Sequence, residues 1–222
     1  MIKWIFTLLI VLLMFCSPKS LIQFESASGI YDNILNSLVY ITNDRIAASG
    51  VVVKSGNLGS YILTNKHVCQ ANKMDDLELF EQGNIPEFNL FKIEYYRNRK
   101  VFQAQVVKYA TNYDLCLLYS PMSNVPAVNL AESPLFPGSR AFYCGNPLGE
   151  RGICSTGLMS GSRYIRSMLY QVTSIQAFPG SSGSGVFNSD KQLVGLMSLA
   201  GPGYSCIVPV MHIRQFLEEL KL

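Results

Sequence analysis

The chain has 222 residues, 49% apolar and 15% charged, a balance that excludes intrinsic disorder. Its net charge is +3, and two of the basic residues, Lys3 and Lys19, lie in the first 20 positions. The remainder is nearly neutral, which leaves no electrostatic case for a nucleic-acid partner. The length admits one large domain or two small ones and is enough to bury a substantial core.

Lys3 is followed by a run from Trp4 to Cys16 that is apolar but for Thr7, then by Ser17-Pro18-Lys19-Ser20. A basic start and an apolar run of this length read as an export signal. The run is short for a membrane span, which needs about 20 apolar residues, and it lacks the polar face of a core helix. No small-x-small cleavage site follows, so an uncleaved signal anchor, with membrane attachment, stands beside a cleaved signal peptide. Leu13-Met14-Phe15 are bulky for a lipoprotein acceptor at Cys16. Residues 1–20 are therefore read as targeting, 21–36 as a lead segment and 37–222 as the folded domain. The expected location is extracytoplasmic: secreted, periplasmic or membrane-anchored.

A short entry helix is expected around Gly29–Leu35. From Ser37 onward, short β-rich runs alternate with turn residues: 38–42, 47–53 and 61–64 come first. Runs 91–96 and 101–107 flank Arg97-Asn98-Arg99-Lys100 and predict a hairpin whose cationic tip is solvated. Further runs cover 115–119, 141–144, 152–154, 168–173, 183–187, 193–197 and 205–208. Regular short strands of this kind predict an all-β sandwich or barrel. Helical periodicity is clear only in Met211–Leu220, where Ile213, Phe216, Leu217 and Leu220 form one stripe. No linker or repeat divides the chain, and an accessory peptide-binding domain after the last strand is not expected.

Cys69, Cys116, Cys144, Cys154 and Cys206 follow the N-terminal segment. None forms a CxxC pair, and with only two histidines in the chain no zinc site is expected. Export would permit disulfides. Each cysteine reads equally well as a small buried apolar residue, and the odd count leaves at least one thiol without a partner in the chain.

Three segments carry chemistry. Leu63-Thr64-Asn65-Lys66-His67-Val68 sets a histidine just after a β run. Tyr113-Asp114-Leu115 sets an acid at the entry to an apolar strand, and Pro179-Gly180-Ser181-Ser182-Gly183-Ser184-Gly185 is a Gly/Ser turn. Alone, each reads as an ordinary turn or strand end. Their combination, in the order His, Asp, Ser, is that of the chymotrypsin-type enzymes.

These blocks resemble the three motif blocks of trypsin-like serine peptidases. The style is that of the bacterial high-temperature-requirement (Deg-type) branch, without a PDZ domain. Cys144-Gly145-Asn146-Pro147-Leu148-Gly149 is similar to that branch's GNPxG turn, and Leu158-Met159-Ser160 to its next strand. The likeness spans Ser37 to the C-terminus. It implies a double six-stranded β-barrel with a short C-terminal helix, and peptide-bond hydrolysis with no metal or organic cofactor. A protein or peptide substrate is the implied partner; the oligomeric state is left open.

The residue types fit that chemistry. A serine hydroxyl needs a neighbouring base, His67 in its neutral form can supply one, and Asp114 would fix the imidazole tautomer. Gly180 allows its N–H to join that of Ser182 as an oxyanion hole. Ser181 and Ser184 are rival nucleophiles, but the family's Gly-x-Ser-Gly spacing from Gly180 selects Ser182. Asp75 and Asp76 are rival acids that lead a polar stretch, and His212 reads as structural.

Further expectations come from the resemblance. Ser181 stands where trypsins hold an acid that pairs with a freshly cut N-terminus, so activation by such an ion pair is not expected. Gln176 stands where trypsins hold the acid that selects Lys/Arg, so a neutral pocket for apolar or small polar residues is expected. Residues near Leu199, Ala200 and Tyr204 would also shape that pocket. Ser198-Leu199-Ala200 would pair with the substrate backbone as an added strand. With the triad formed, Cys69 and Cys116 would lie near one another and bridge, and Cys144 and Cys154 would pair across a hairpin. Two other readings are a catalytically silent relative that binds peptides or proteins, and a processing enzyme that cuts one polyprotein or itself.

Overall fold

The computed structural model describes residues 27–43, 45–70 and 90–222. The targeting segment 1–20, the start of the lead segment and the rival acids Asp75 and Asp76 lie outside the described residues. Helix α1 (Ala27–Leu35) leads into β1 (Leu38–Thr42), β2 (Ala47–Ser55) and β3 (Ser60–Thr64), then the single turn α2 (Lys66–Gln70). β4 (Phe91–Tyr95), β5 (Val101–Tyr109) and β6 (Cys116–Ser120) complete a closed barrel in the order β1-β2-β3-β6-β5-β4. All its pairings are antiparallel.

The second half begins with a two-residue strand, β7 (Asn129–Leu130). It continues through β8 (Arg140–Gly145), a 3₁₀ turn at Pro147–Gly149, β9 (Ile153–Ile165) and β10 (Met168–Thr173). β11 (Gly185–Phe187), β12 (Gln192–Gly201), β13 (Tyr204–Pro209) and α3 (Val210–Glu218) follow. The sheet order β11-β8-β9-β10-β13-β12 is closed by β11–β12 pairing, with β7 added parallel to β12. The chain is thus two six-stranded antiparallel barrels with one short C-terminal helix, the expected fold.

Alternation of side chains along each strand explains the near-continuous apolar runs. Val39, Ile62 and Leu118 point into the first barrel, whereas their neighbours Leu38, Leu63 and Leu117 point out of it. The outward set packs against Phe142, Phe187, Leu196 and Val208 of the second barrel. Ile30 and Ile34 of α1 and Ile213, Phe216 and Leu217 of α3 join the same cluster, so both helices seal the seam between barrels. Tyr143, Met159, Val186, Val194 and Ile207 fill the second barrel.

Two cross-links are present: Cys69–Cys116, from α2 to β6, and Cys144–Cys154, across the β8–β9 pair. Cys206 is free and buried. Three local features differ from the sequence reading. The run at 152–154 is only the start of a 13-residue strand, because Ser, Gly and Arg residues continue β9 through pairing with β10 on a half-exposed ribbon. His67 sits on a helical turn rather than at a bare strand end. The cationic tip at 97–100 is exposed but tied down: Arg97 donates to Asn36 Oδ1 at 2.6 Å and to the Asp32 backbone, and Arg99 pairs with Glu94.

Candidate active site

The cleft between the barrels receives one element from each side. β3 ends at Thr64, and α2 starts at once, which brings the His67 imidazole back over the strand end. Asp114 lies in the connection from β5 to β6, held by Asn65 Nδ2 donating to the Asp114 carbonyl at 3.0 Å. Lys66 Nζ donates to the Ala110 carbonyl at 2.9 Å and closes the same connection. Ser182 comes from the second barrel, in the segment ahead of β11, and its carbonyl accepts from the Ser49 N–H at 2.9 Å.

The three side chains form one hydrogen-bonded line. His67 Nε2 is 2.9 Å from Ser182 Oγ, and His67 Nδ1 is 2.9 Å from Asp114 Oδ2. The His67 backbone N–H donates to Asp114 Oδ1 at 3.0 Å, and Ser198 Oγ donates to Oδ2 at 2.6 Å. Both carboxylate oxygens are therefore engaged. Burial pushes the Asp114 carboxyl up, but the hydrogen bonds and charge of His67, with the Ser198 hydroxyl, outweigh it and hold the group below its ordinary range. A proton can pass from Ser182 Oγ to His67 Nε2 in this geometry, with the resulting imidazolium facing a carboxylate.

The rival serines are placed otherwise. Ser184 is fully buried, with its hydroxyl beside that of Tyr143. Ser181 is also buried, and its hydroxyl bonds with Tyr143 and the Phe178 N–H. His212 stacks on Tyr113 at 4.1 Å between ring centroids, and the ring nitrogen that faces Ser182 Oγ belongs to His67.

Phe178-Pro179-Gly180-Ser181 is a tight turn closed by Ser181 N–H donating to the Phe178 carbonyl at 2.9 Å. Gly180 has φ +93°, the value that a type II turn with proline at its second position requires of its third residue. The Leu148 N–H holds the Pro179 carbonyl at 2.6 Å. Across a trans peptide the Gly180 N–H then points the opposite way. Neither it nor the Ser182 N–H has a hydrogen-bond partner among the described residues. Gly183, at φ +83°, lets the chain pass against the Ser49 carbonyl and Thr64 Oγ1, where a Cβ would clash.

Of the expected binding residues, Ser198 and Leu199 line a groove of about 870 Å³ beside His67 and Asp114, with Arg166, Met168 and Tyr170 opposite. Ala200 follows them, exposed, on β12. Gln176 is exposed but lies on a different cavity of about 260 Å³, with Tyr143, Ile175 and Phe178. The structure thus does not bring Gln176 into the groove of Ser198. Sequence reasoning missed the bond from Ser198 to Asp114. Its visible trace is the β-bulge between Met197 and Leu199, which re-aims Ser198. Among the described residues no three His, Cys, Asp or Glu side chains cluster as a metal site.

A family model for the trypsin-like peptidase domain matches residues 48–196, a span that contains His67, Asp114 and Ser182. The chain belongs to the trypsin-like peptidase family. A curated relative, the probable periplasmic serine endoprotease DegP-like of Marinomonas sp. (strain MWYL1), is 27% identical over 143 residues. The match covers 62% of this trypsin-like chain and 27% of the relative, so the chain spans about a quarter of that protein. Among solved structures, the serine endoprotease from Yersinia pestis superposes with a TM-score of 0.71 at 22% identity. It covers 88% of this chain and 66% of its own. An inactive form of Rv3671c from M. tuberculosis H37Rv gives 0.68 at 17% identity, covering 92% and 94%. At those identities the two structures establish the trypsin-like fold.

Proposed function

We propose that the protein is a serine endopeptidase that hydrolyses peptide bonds through an acyl-enzyme, with Ser182 as nucleophile, His67 as general base and Asp114 as its orienting acid. The observation that carries this reading is the continuous line from Asp114 Oδ2 through His67 to Ser182 Oγ, with 2.9 Å at both His67 contacts. Ser182 Oγ adds to the substrate carbonyl carbon as His67 takes its proton. His67 then returns that proton to the leaving amine, and water repeats the sequence to release the acyl group. The N–H groups of Gly180 and Ser182, without a partner among the described residues, stabilise the oxyanion.

The substrate is a protein or peptide whose backbone pairs with the edge formed by Ser198, Leu199 and Ala200, beside the groove at His67. An extracytoplasmic location is supported by the apolar run at Trp4–Cys16, by the two disulfides and by the relative named as periplasmic. No helix among the described residues is long and apolar enough to cross a membrane. The test is cleavage of a mixed peptide library, read by mass spectrometry, with Ser182→Ala as control. Products with new termini from the wild type alone support the reading, and intact peptides in both samples overturn it.

A further inference from the structure

The turn that presents the Gly180 N–H is fastened from behind by groups that play no part in proton transfer. Tyr143 lies on β8 and is almost completely buried, and its hydroxyl donates to Ser181 Oγ at 2.9 Å. The same Ser181 Oγ accepts the Phe178 N–H at 3.0 Å, while the Ser181 N–H donates to the Phe178 carbonyl at 2.9 Å. Ser181 therefore grips Phe178 through both its backbone and its side chain, and Pro179-Gly180 is the two-residue span between those grips. Tyr143 ties the grip to the second barrel. Gly145, two residues along β8, keeps this space open, because a Cβ there would run into the Ser184 and Tyr143 hydroxyls.

We propose that Tyr143 and Ser181 are positioning residues: their hydroxyl pair locks the Pro179–Gly180 peptide in the orientation that presents the Gly180 N–H to the oxyanion. The proposal rests on the reading of Ser182 as nucleophile. A type I and a type II turn differ by rotation of the central peptide, so an unfastened turn can swing the Pro179 carbonyl to where the N–H belongs. The sequence has no carboxylate at 181 to be neutralised by a new N-terminus. The lock is made of two neutral hydroxyls, and burial holds the Tyr143 phenol protonated well above neutral pH. Orientation of the turn is thereby independent of chain cleavage and of pH near neutrality.

The test compares wild type, Tyr143→Phe, Ser181→Ala and the double variant, after thermal melting shows each to be folded at the assay temperature. Tyr143→Phe keeps the ring that fills the barrel and removes only the hydroxyl. Expected is a fall in kcat of roughly 10- to 100-fold with KM changed by less than about twofold, the pattern of a contact felt only in the transition state. Affinity for a peptide boronic acid, whose serine adduct carries the oxyanion charge, should fall in parallel. Affinity for a non-reactive peptide of the same sequence should not. The double variant should cost no more than the worse single one, because both break one unit. Folded Tyr143→Phe with wild-type kcat and boronate affinity overturns the lock and leaves the nucleophile reading intact. Failure of the wild type itself to hydrolyse peptides or bind the boronate overturns both.

Discussion

At the scale of single residues, the proposed mechanism depends on Asp114 being ionised and fully bonded. Its oxygens accept from the His67 ring, the His67 N–H and Ser198 Oγ. Asp114→Asn would present an amide where two donors converge, so the His67 tautomer that leaves Nε2 free to accept is lost. A drop in kcat of about 10⁴-fold is expected, measured with the fold intact by circular dichroism. His67, Asp114 and Ser182 stand out in the sequence because each sits beside a distinctive short motif, and the structure brings their side chains into one hydrogen-bonded line. Ser198 and Tyr143 were not, because their partners lie 84 and 38 residues away and no local pattern records such contacts.

At the scale of elements, α3 does more than close the seam. His212 stacks on Tyr113, the residue before Asp114, and Tyr113 Oη donates to Gln215 Oε1 of the same helix at 2.7 Å. The helix thus braces the connection that carries Asp114. Burial holds the His212 pKa below its ordinary 6.5, against a hydrogen bond with the Leu169 backbone that raises it. The unfolded chain therefore binds this proton first as the pH falls. The stability that neutral His212 contributes is complete above 6.5 and is lost as the pH falls through the folded value. The wild-type melting temperature should fall between about pH 7 and pH 5, and His212→Phe, which keeps the stack, should flatten that fall. An equal fall in the variant would assign the acid sensitivity to other groups. Strand positions and the helical stripe of α3 were readable from period and turn residues. The single turn α2 and the length of β9 were not, since five residues show no helical period and polar ribbons depend on their pairing partner.

At the scale of the whole molecule, the two barrels position halves of one site. Their seam is fixed by the outward faces of β1, β3 and β6 against β8, β11, β12 and β13. Polar bonds cross it beside the site: Ser49 Oγ donates to the Gly180 carbonyl at 2.9 Å and accepts from the Asn146 N–H at 2.9 Å. Cys69–Cys116 pins the helix of His67 to the strand that follows Asp114. The double-barrel architecture was legible through resemblance to a family, and the cysteine pairings through position: Cys69 follows His67 and Cys116 follows Asp114 by two residues, and Cys144 and Cys154 flank the Gly-Asn-Pro turn. The seam itself was not, because buried-on-both-sides strands read alike whichever neighbour covers each face.

The central claim is that Ser182 is a nucleophile activated by His67. Its most direct test is labelling of the purified protein by a fluorophosphonate probe, which phosphonylates an activated serine, in the wild type and in Ser182→Ala, His67→Ala and Ser184→Ala. The account predicts labelling of the wild type and of Ser184→Ala, and none of the other two. A folded wild type that takes no label, or a Ser182→Ala variant that still does, would contradict it.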